Sequence, residues 1–298
     1  MKSITEGLAE IKNASASIAE KKQMCLKLGL RPRDVEYLEF TGFFRGRELT
    51  FGVEIECLVR RDRVVSAARG TGFDFAYERY NHTDREGYFK FVPDGSLRGE
   101  NNIECVSPIL KDNADGFDKL KTALDVLNNA GAGVNKSCGL HVHVGVAEYT
   151  PGEIANIYKN YQKLESLIDS FMAPSRRGDT CRWAHSLQGY DYDGCNTVSD
   201  IAAIMNFDRY HKVNPMAYDR HRTVEFRQHQ GTVDYAKISM WVKFCCKLVE
   251  WAKRHILECN VTDINEVPFL NAEEKTYFSQ RIQYFAIARA LNRGSVSL

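Results

Sequence analysis

Four stretches of this 298-residue chain alternate apolar and polar residues so that one side of each is a row of acids, imidazoles or guanidinium groups. No other feature restricts the fold as strongly. Successive residues of a strand point to opposite faces, so FGVEIEC places Phe51, Val53, Ile55 and Cys57 on one face and Glu54 and Glu56 on the other. In NNIECVSP, Ile103 and Cys105 oppose Glu104; in GLHVHVG, Val142 and Val144 oppose His141 and His143. RTVEFRQH repeats the scheme, with Val224 and Phe226 opposite Glu225, Arg227 and His229. A strand with one wet face also alternates, but chance alternation favours Lys, Ser and Thr. These rows hold groups that ligate metals or bind phosphate.

If the strands share a sheet, the carboxylates of Glu54, Glu56, Glu104 and Glu225 converge. Two unit charges about 6.5 Å apart at an effective dielectric of about 20 repel by roughly 2.5 kcal/mol. Several such pairs approach the whole stability of a domain, about 5–15 kcal/mol. Arg227 supplies one compensating charge. Divalent cations supply the rest, and oxygen-rich sites with an occasional imidazole suit Mg2+ or Mn2+ better than Zn2+. Mg2+ held by few protein groups keeps room for phosphates, which makes a nucleotide the natural guest.

Around these strands the chain reads as α+β. From Ile4 to about Leu38 it reads as a helical hairpin, stopped at Gly29 and reopened by Pro32. The expected division is residues 1–47 for this appendage, ending in the polar link Thr41–Arg47, and 48–298 for the main domain. A further strand is read at GYFKFVP, and helices over Asp115–Ala130, Thr150 to about Met172, about Ser199–Met205, Tyr235–Glu258 and Asn271–Asn292. Thr150-Pro151-Gly152-Glu153 is a capping-box signature with proline at the first helical position. The stretch from Pro174 to Cys195 has no clear period and reads as a long surface loop, in which Trp183, Tyr190 and Tyr192 are candidate substrate contacts.

Composition excludes several classes. Forty Lys and Arg against 39 Asp and Glu leave a net charge of +1, without the footprint of a nucleic-acid binder. The hairpin cations Lys21, Lys22, Lys27, Arg31 and Arg33 are interrupted by Glu20, Asp34, Glu36 and Glu39, which favours a packing or protein-docking appendage over a DNA reader. No apolar run approaches the roughly 20 residues that span a bilayer, and the first residues lack a signal-peptide core, so a cytoplasmic location is expected. Nine irregularly spaced cysteines without a CxxC pair fit neither a disulfide framework nor a zinc ribbon. Neither a GxxxxGK[ST] loop nor a GxGxxG after a strand is present, and GAGVNKS at Gly131–Ser137 reads as a helix stop.

In order, FGVEIE, DGSL (Asp94–Leu97) with ECVSP, CGLHVHVG, SRR and TVEFRQHQGT resemble the amidoligase family, carboxylate-amine ligases related to glutamine synthetase and glutamate-cysteine ligase. The similarity runs from about Leu49 to Trp251. It implies a curved, antiparallel-rich sheet of the glutamine synthetase/glutamate-cysteine ligase type whose concave face binds ATP and divalent cations. It implies metal ligation by Glu54, Glu56, Glu104 and Glu225, with His141 or His143 on metal or nucleotide phosphate. Arg227 would hold the transferred phosphate, and Arg176 and Arg177 would clamp phosphate from a mobile loop. Glu104 or Asp94 would serve as base. The second acid near Glu104 is Glu100 or Asp94, which leaves the metal count open. The implied reaction joins a carboxylate to an amine, on small molecules or peptides, through an acyl phosphate. The rival readings are a metal-dependent hydrolase built on His141 and His143, and a non-catalytic binding module.

Overall fold

The computed structural model of the chain describes residues 3–14, 16, 18–40, 49–79 and 87–294. It divides into two compact units, Met1–Glu48 and Leu49–Leu298. The link Thr41–Arg47 lies outside the described residues.

The first unit has three helices, α1 (Ile4–Asn13), α2 (Ile18–Lys27) and α3 (Pro32–Phe40). The hairpin read from sequence is therefore corrected: its first helix is two. The Glu6 amide donates to the Ser3 hydroxyl at 3.2 Å and the Ser3 amide to the Glu6 carboxylate at 2.8 Å, closing a capping box on α1. Ala14 then leaves the helix at ψ 139°. Gly29, at φ +96°, ends α2, and Pro32 opens α3 as expected. Ile11, Cys25 and Val35 form this unit's small core.

The second unit is α+β. Its strands are β1 (Thr50–Leu58), β2 (Phe75–Tyr77), β3 (Phe89–Val92), β4 (Asn102–Val106), β5 (Leu110–Lys111), β6 (Gly139–Gly145), β7 (Val213–Asn214) and β8 (Thr223–Gln230). They form one open sheet in the order β2-β3-β4-β1-β6-β8-β7, with β5 paired to the start of β1. All pairings are antiparallel except β2 with β3. All five segments read as strands are strands. The short β2, β5 and β7 carry too few residues to show a period.

The helices of this unit are α4 (Arg61–Ala68), α5 (Ala114–Asn129), α6 (Pro151–Phe171), α7 (Val198–Ile204), α8 (Ala217–His221), α9 (Tyr235–Ala252) and α10 (Ala272–Gly294). Those over α5, α6, α7, α9 and α10 were legible, although α9 stops at Ala252, short of Glu258; α4 and α8 were not. Thr150 and Glu153 form the expected capping box on α6. Val53, Ile55, Val142, Val144, Val224 and Phe226 are buried on one face of the sheet. There Phe51 meets Phe117 of α5 at 5.2 Å between ring centroids, and Phe226 meets Tyr161 of α6 at 5.8 Å. Full burial of each such side chain contributes about 1.5–3 kcal/mol, which fixes the register and turns every alternate residue to the other face.

One strand breaks the alternation. Pairing of β6 with β8 passes from Val142 opposite Phe226 to Leu140 opposite His229, so Arg227 and Gln228 together oppose His141. This is a β-bulge. It corrects the reading of His229, which leaves the polar face and packs on Trp241 of α9 at 5.9 Å. Its Nδ1 bonds the Gln230 carbonyl at 2.7 Å, and burial drives its pKa down to about 3. No helix among the described residues is long and apolar enough to cross a membrane.

Candidate active site

The register gathers the predicted residues into three rows on the polar face. Gly52, His143, Glu225 and Asn214 are successive partners across β1, β6, β8 and β7. Lys90, Val106, Glu54 and His141 follow each other across β3, β4, β1 and β6. Val92, Glu104 and Glu56 form the third row on β3, β4 and β1. Segments far apart in sequence thus supply one patch because residues paired across neighbouring strands turn to the same face of the sheet.

At its centre the Glu54 carboxylate meets both histidines. His141 Nδ1 lies 2.9 Å from Glu54 Oε2, and His143 Nε2 lies 3.4 Å from Glu54 Oε1. Glu225 Oε1 is 3.6 Å from His141 Nδ1 and 3.9 Å from His143 Nε2, and it accepts from the Arg227 guanidinium. The second Glu225 oxygen accepts from the Asn214 amide at 2.5 Å. Glu56 Oε2 accepts the Gly139 amide at 2.5 Å, and Glu56 Oε1 stands 3.7 Å from His141 Nε2.

These neighbours divide the acids. Burial penalises the Glu54 carboxylate, but the hydrogen bond from His141 and the close imidazole of His143 outweigh it and hold its pKa well below the usual range. Glu225 is likewise penalised by burial, yet the charges of Arg227 and His143 bring it to about 2. Glu104 goes the other way. Burial, then the charges of Glu54, Glu56 and Asp94, push it well above the usual range. For His143, burial disfavours the charged ring while Glu225 and Glu54 favour it, and the net pKa is raised.

The donors fit divalent cations. Ligand atoms of Glu54, His143 and Glu225 lie within 4.8 Å of one another; so do those of Glu54, Glu104 and His141, and of Glu56, Asp94 and Glu104. The buried His143 Nε2 has no hydrogen-bond partner, while its Nδ1 is fixed by Thr223 Oγ1 at 2.9 Å. An imidazole oriented at one nitrogen, whose other nitrogen makes no hydrogen bond and faces the Glu54 and Glu225 carboxylates, could serve as a metal ligand. No such group among the described residues contains both histidines.

A cavity of about 820 Å3 covers this patch and is lined by Glu54, Glu56, Asp94, Glu104, His141, His143, Glu225 and Arg227 among others. Its size falls within the range of small-molecule sites, about 300–1,000 Å3. Arg176 also lines it, yet a mobile loop is not its setting: it is buried in the single turn Pro174–Arg176, with Nη2 donating to the Cys138 carbonyl at 2.7 Å. Arg177 does not line the cavity. Its guanidinium donates to the Met172 carbonyl at 2.9 Å and lies 5.0 Å from the Phe285 ring centroid, so of the two arginines Arg176 alone lines the cavity. The surface-loop reading of Pro174–Cys195 is corrected in part, because Ala184, Leu187 and Tyr192 are buried. Trp183 lines the cavity, whereas Tyr190 bonds His211 at 3.1 Å and Tyr192 packs inside.

Sequence reasoning missed four contributors. Lys90, buried at the cavity wall, alternates with Phe89 and Phe91, so the rule that found Glu54 applied to it as well. Asn214 sits in a two-residue strand that carries no periodic signal. Thr223 orients His143. Gly139 leaves the space in which a Cβ would lie 3.2 Å from His141 Nε2, 3.3 Å from Glu56 Oε2 and 3.5 Å from Arg176 Nη1.

The family model described as "Putative amidoligase enzyme" matches residues 47–249. No curated protein matches the chain. The matched residues run from the approach to β1 nearly to the end of α9 and take in every strand whose side chains meet in the cavity. The chain belongs to the amidoligase family.

Proposed function

We propose that this ligase-type enzyme is an ATP-dependent carboxylate-amine ligase that forms a peptide or isopeptide bond. The sheet is read as the glutamine synthetase/glutamate-cysteine ligase type, working in the cytoplasm where ATP and Mg2+ are supplied. In the reaction a substrate carboxylate oxygen attacks the γ-phosphorus of ATP and ADP leaves. An amine then attacks the acyl carbon, phosphate leaves, the amine proton passes to a base, and an amide remains.

Glu54, Glu56, Glu104, Glu225 and His143 would hold Mg2+ or Mn2+, which when bound neutralises charge on the phosphates. His141 and Glu225 orient the Glu54 and Arg227 side chains around the reacting groups. Arg227, buried and kept charged by Glu225 and Glu54 against its burial penalty, faces the transferred phosphoryl group, and Arg176 faces the remaining phosphates. Preorganised cations in a dry site stabilise developing charge strongly. Asp94 or Glu104, both lining the cavity, takes the amine proton. No side-chain nucleophile is required.

The single observation carrying this reading is the meeting of Glu54, Glu56, Glu104, Glu225, His141, His143 and the buried Arg227 in one cavity of an amidoligase-family chain. ADP release from ATP and Mg2+ tests it. Release that rises only when an acid and an amine are supplied together supports the ligase; bound zinc that survives dialysis, with no ADP formed, points to the hydrolase instead.

A further inference from the structure

On the helix side of β8, a set of buried polar groups takes no part in the reaction above. Lys212 is fully buried, and its Nζ donates to Glu165 Oε1 at 2.7 Å and to Asp169 Oδ1 at 2.8 Å, both on α6. Gln228, also fully buried, donates through Nε2 to Asp169 Oδ1 at 2.5 Å and accepts from the Tyr161 hydroxyl at 2.5 Å.

The two ends of this network reach the cavity arginines. Gln228 Nε2 donates to the main-chain carbonyl of Arg176 at 3.0 Å. The main-chain carbonyl of Lys212 accepts the Arg227 amide at 2.8 Å. Both arginines sit where regular ladder bonding is interrupted: Arg227 in the bulge opposite His141, Arg176 in a three-residue turn. Within that bulge the Arg227 Nε has no hydrogen-bond partner of its own.

A buried charge cluster replaced whole by apolar groups is often neutral or better for the fold, whereas a fully bonded buried network fixes one geometry. We propose that Gln228, Asp169 and Lys212 are positioning residues that set the spacing of the Arg176 and Arg227 guanidinium groups. The proposal rests on reading those arginines as phosphate-binding groups.

The test uses full-length protein with Gln228→Leu/Tyr161→Phe, which cuts the tie to Arg176 without leaving the tyrosine hydroxyl unpaired. A second variant, Lys212→Met/Glu165→Gln/Asp169→Asn, removes the charges together. Guanidinium Nε–H NMR signals of Arg176 and Arg227, assigned with Arg→Lys variants, report placement; calorimetry with Mg2+ and tripolyphosphate reports binding. The expected result is shifted or broadened signals for both arginines, with tripolyphosphate binding weakened about tenfold or more and the thermal midpoint little changed. Unmoved signals in both variants overturn the proposal. So does failure of both to fold, which assigns the network to the fold itself. Moved signals in a protein that never binds tripolyphosphate uphold the positioning role and reject the phosphate reading.

Discussion

Glu56 and Glu104 stand directly opposite each other across the β1–β4 ladder, both turned into the cavity. Side chains so paired start from Cβ atoms about 4.5–5.5 Å apart, and two charges at about 5 Å repel by roughly 3 kcal/mol at an effective dielectric of about 20. The fold pairs them although like charges opposite one another destabilise a sheet. A site that binds cations resolves the conflict, since the repulsion is relieved when the ligand arrives.

Glu104→Gln is therefore expected to stabilise the cation-free protein by roughly 1–3 kcal/mol and to shrink the stabilisation by Mn2+. Thermal melts with and without Mn2+ check both. A variant less stable than wild type in cation-free buffer, with an undiminished Mn2+ effect, contradicts the assignment.

Arg227→Ala carries a structural cost as well as a functional one. It leaves the buried Glu225 carboxylate without its guanidinium partner, a loss of about 3–5 kcal/mol. ADP release is expected to fall by about 100-fold or more, measured well below the lowered melting temperature. ADP formation at the wild-type rate by folded variant would remove Arg227 from the reaction.

Gly139→Ala probes the space between Glu56, His141 and Arg176. The added methyl would lie 3.2–3.5 Å from one atom of each, tight against groups that line the cavity. Mn2+ affinity is expected to drop by about tenfold with little change in melting temperature. Manganese titration followed by EPR decides it, and unchanged affinity places the cation elsewhere.

His229 predicts an acid limb in stability. Its pKa falls from 6.5 to about 3 on folding, because burial disfavours the imidazolium. The unfolded chain therefore binds a proton that the folded chain refuses between those values, and stability falls as pH drops from about 6.5 toward 3, by about 1.4 kcal/mol per unit at most. Denaturant melts across that range should show a shallower slope for His229→Gln than for wild type. Equal slopes would mean that His229 is solvated.

The polar face was legible because its chemistry follows a two-residue period. Glu54, Glu56, Glu104, His141, His143, Glu225 and Arg227 each sit on a strand whose other face is apolar, and burial of Val53, Val142 or Phe226 fixes which way they turn. His229 escaped the rule because a bulge adds one residue opposite His141, and nothing in RTVEFRQH marks where it falls. Asn214 and the buried Lys212 lie in or beside a strand too short to have a period. Arg177 was carried by the SRR resemblance alone, and its neighbour Arg176 took the cavity position. The N-terminal break at Ala14 was missed because alanine and serine are compatible with a helix until tertiary packing decides otherwise.

Anomalous diffraction from crystals soaked with Mn2+ and a non-hydrolysable ATP analogue tests the central claim most directly. Manganese peaks among Glu54, His143 and Glu225 and beside Glu56 and Glu104, with the analogue's phosphates reaching Arg227, are the predicted result. A cavity without manganese, or a nucleotide bound away from these side chains, would contradict it.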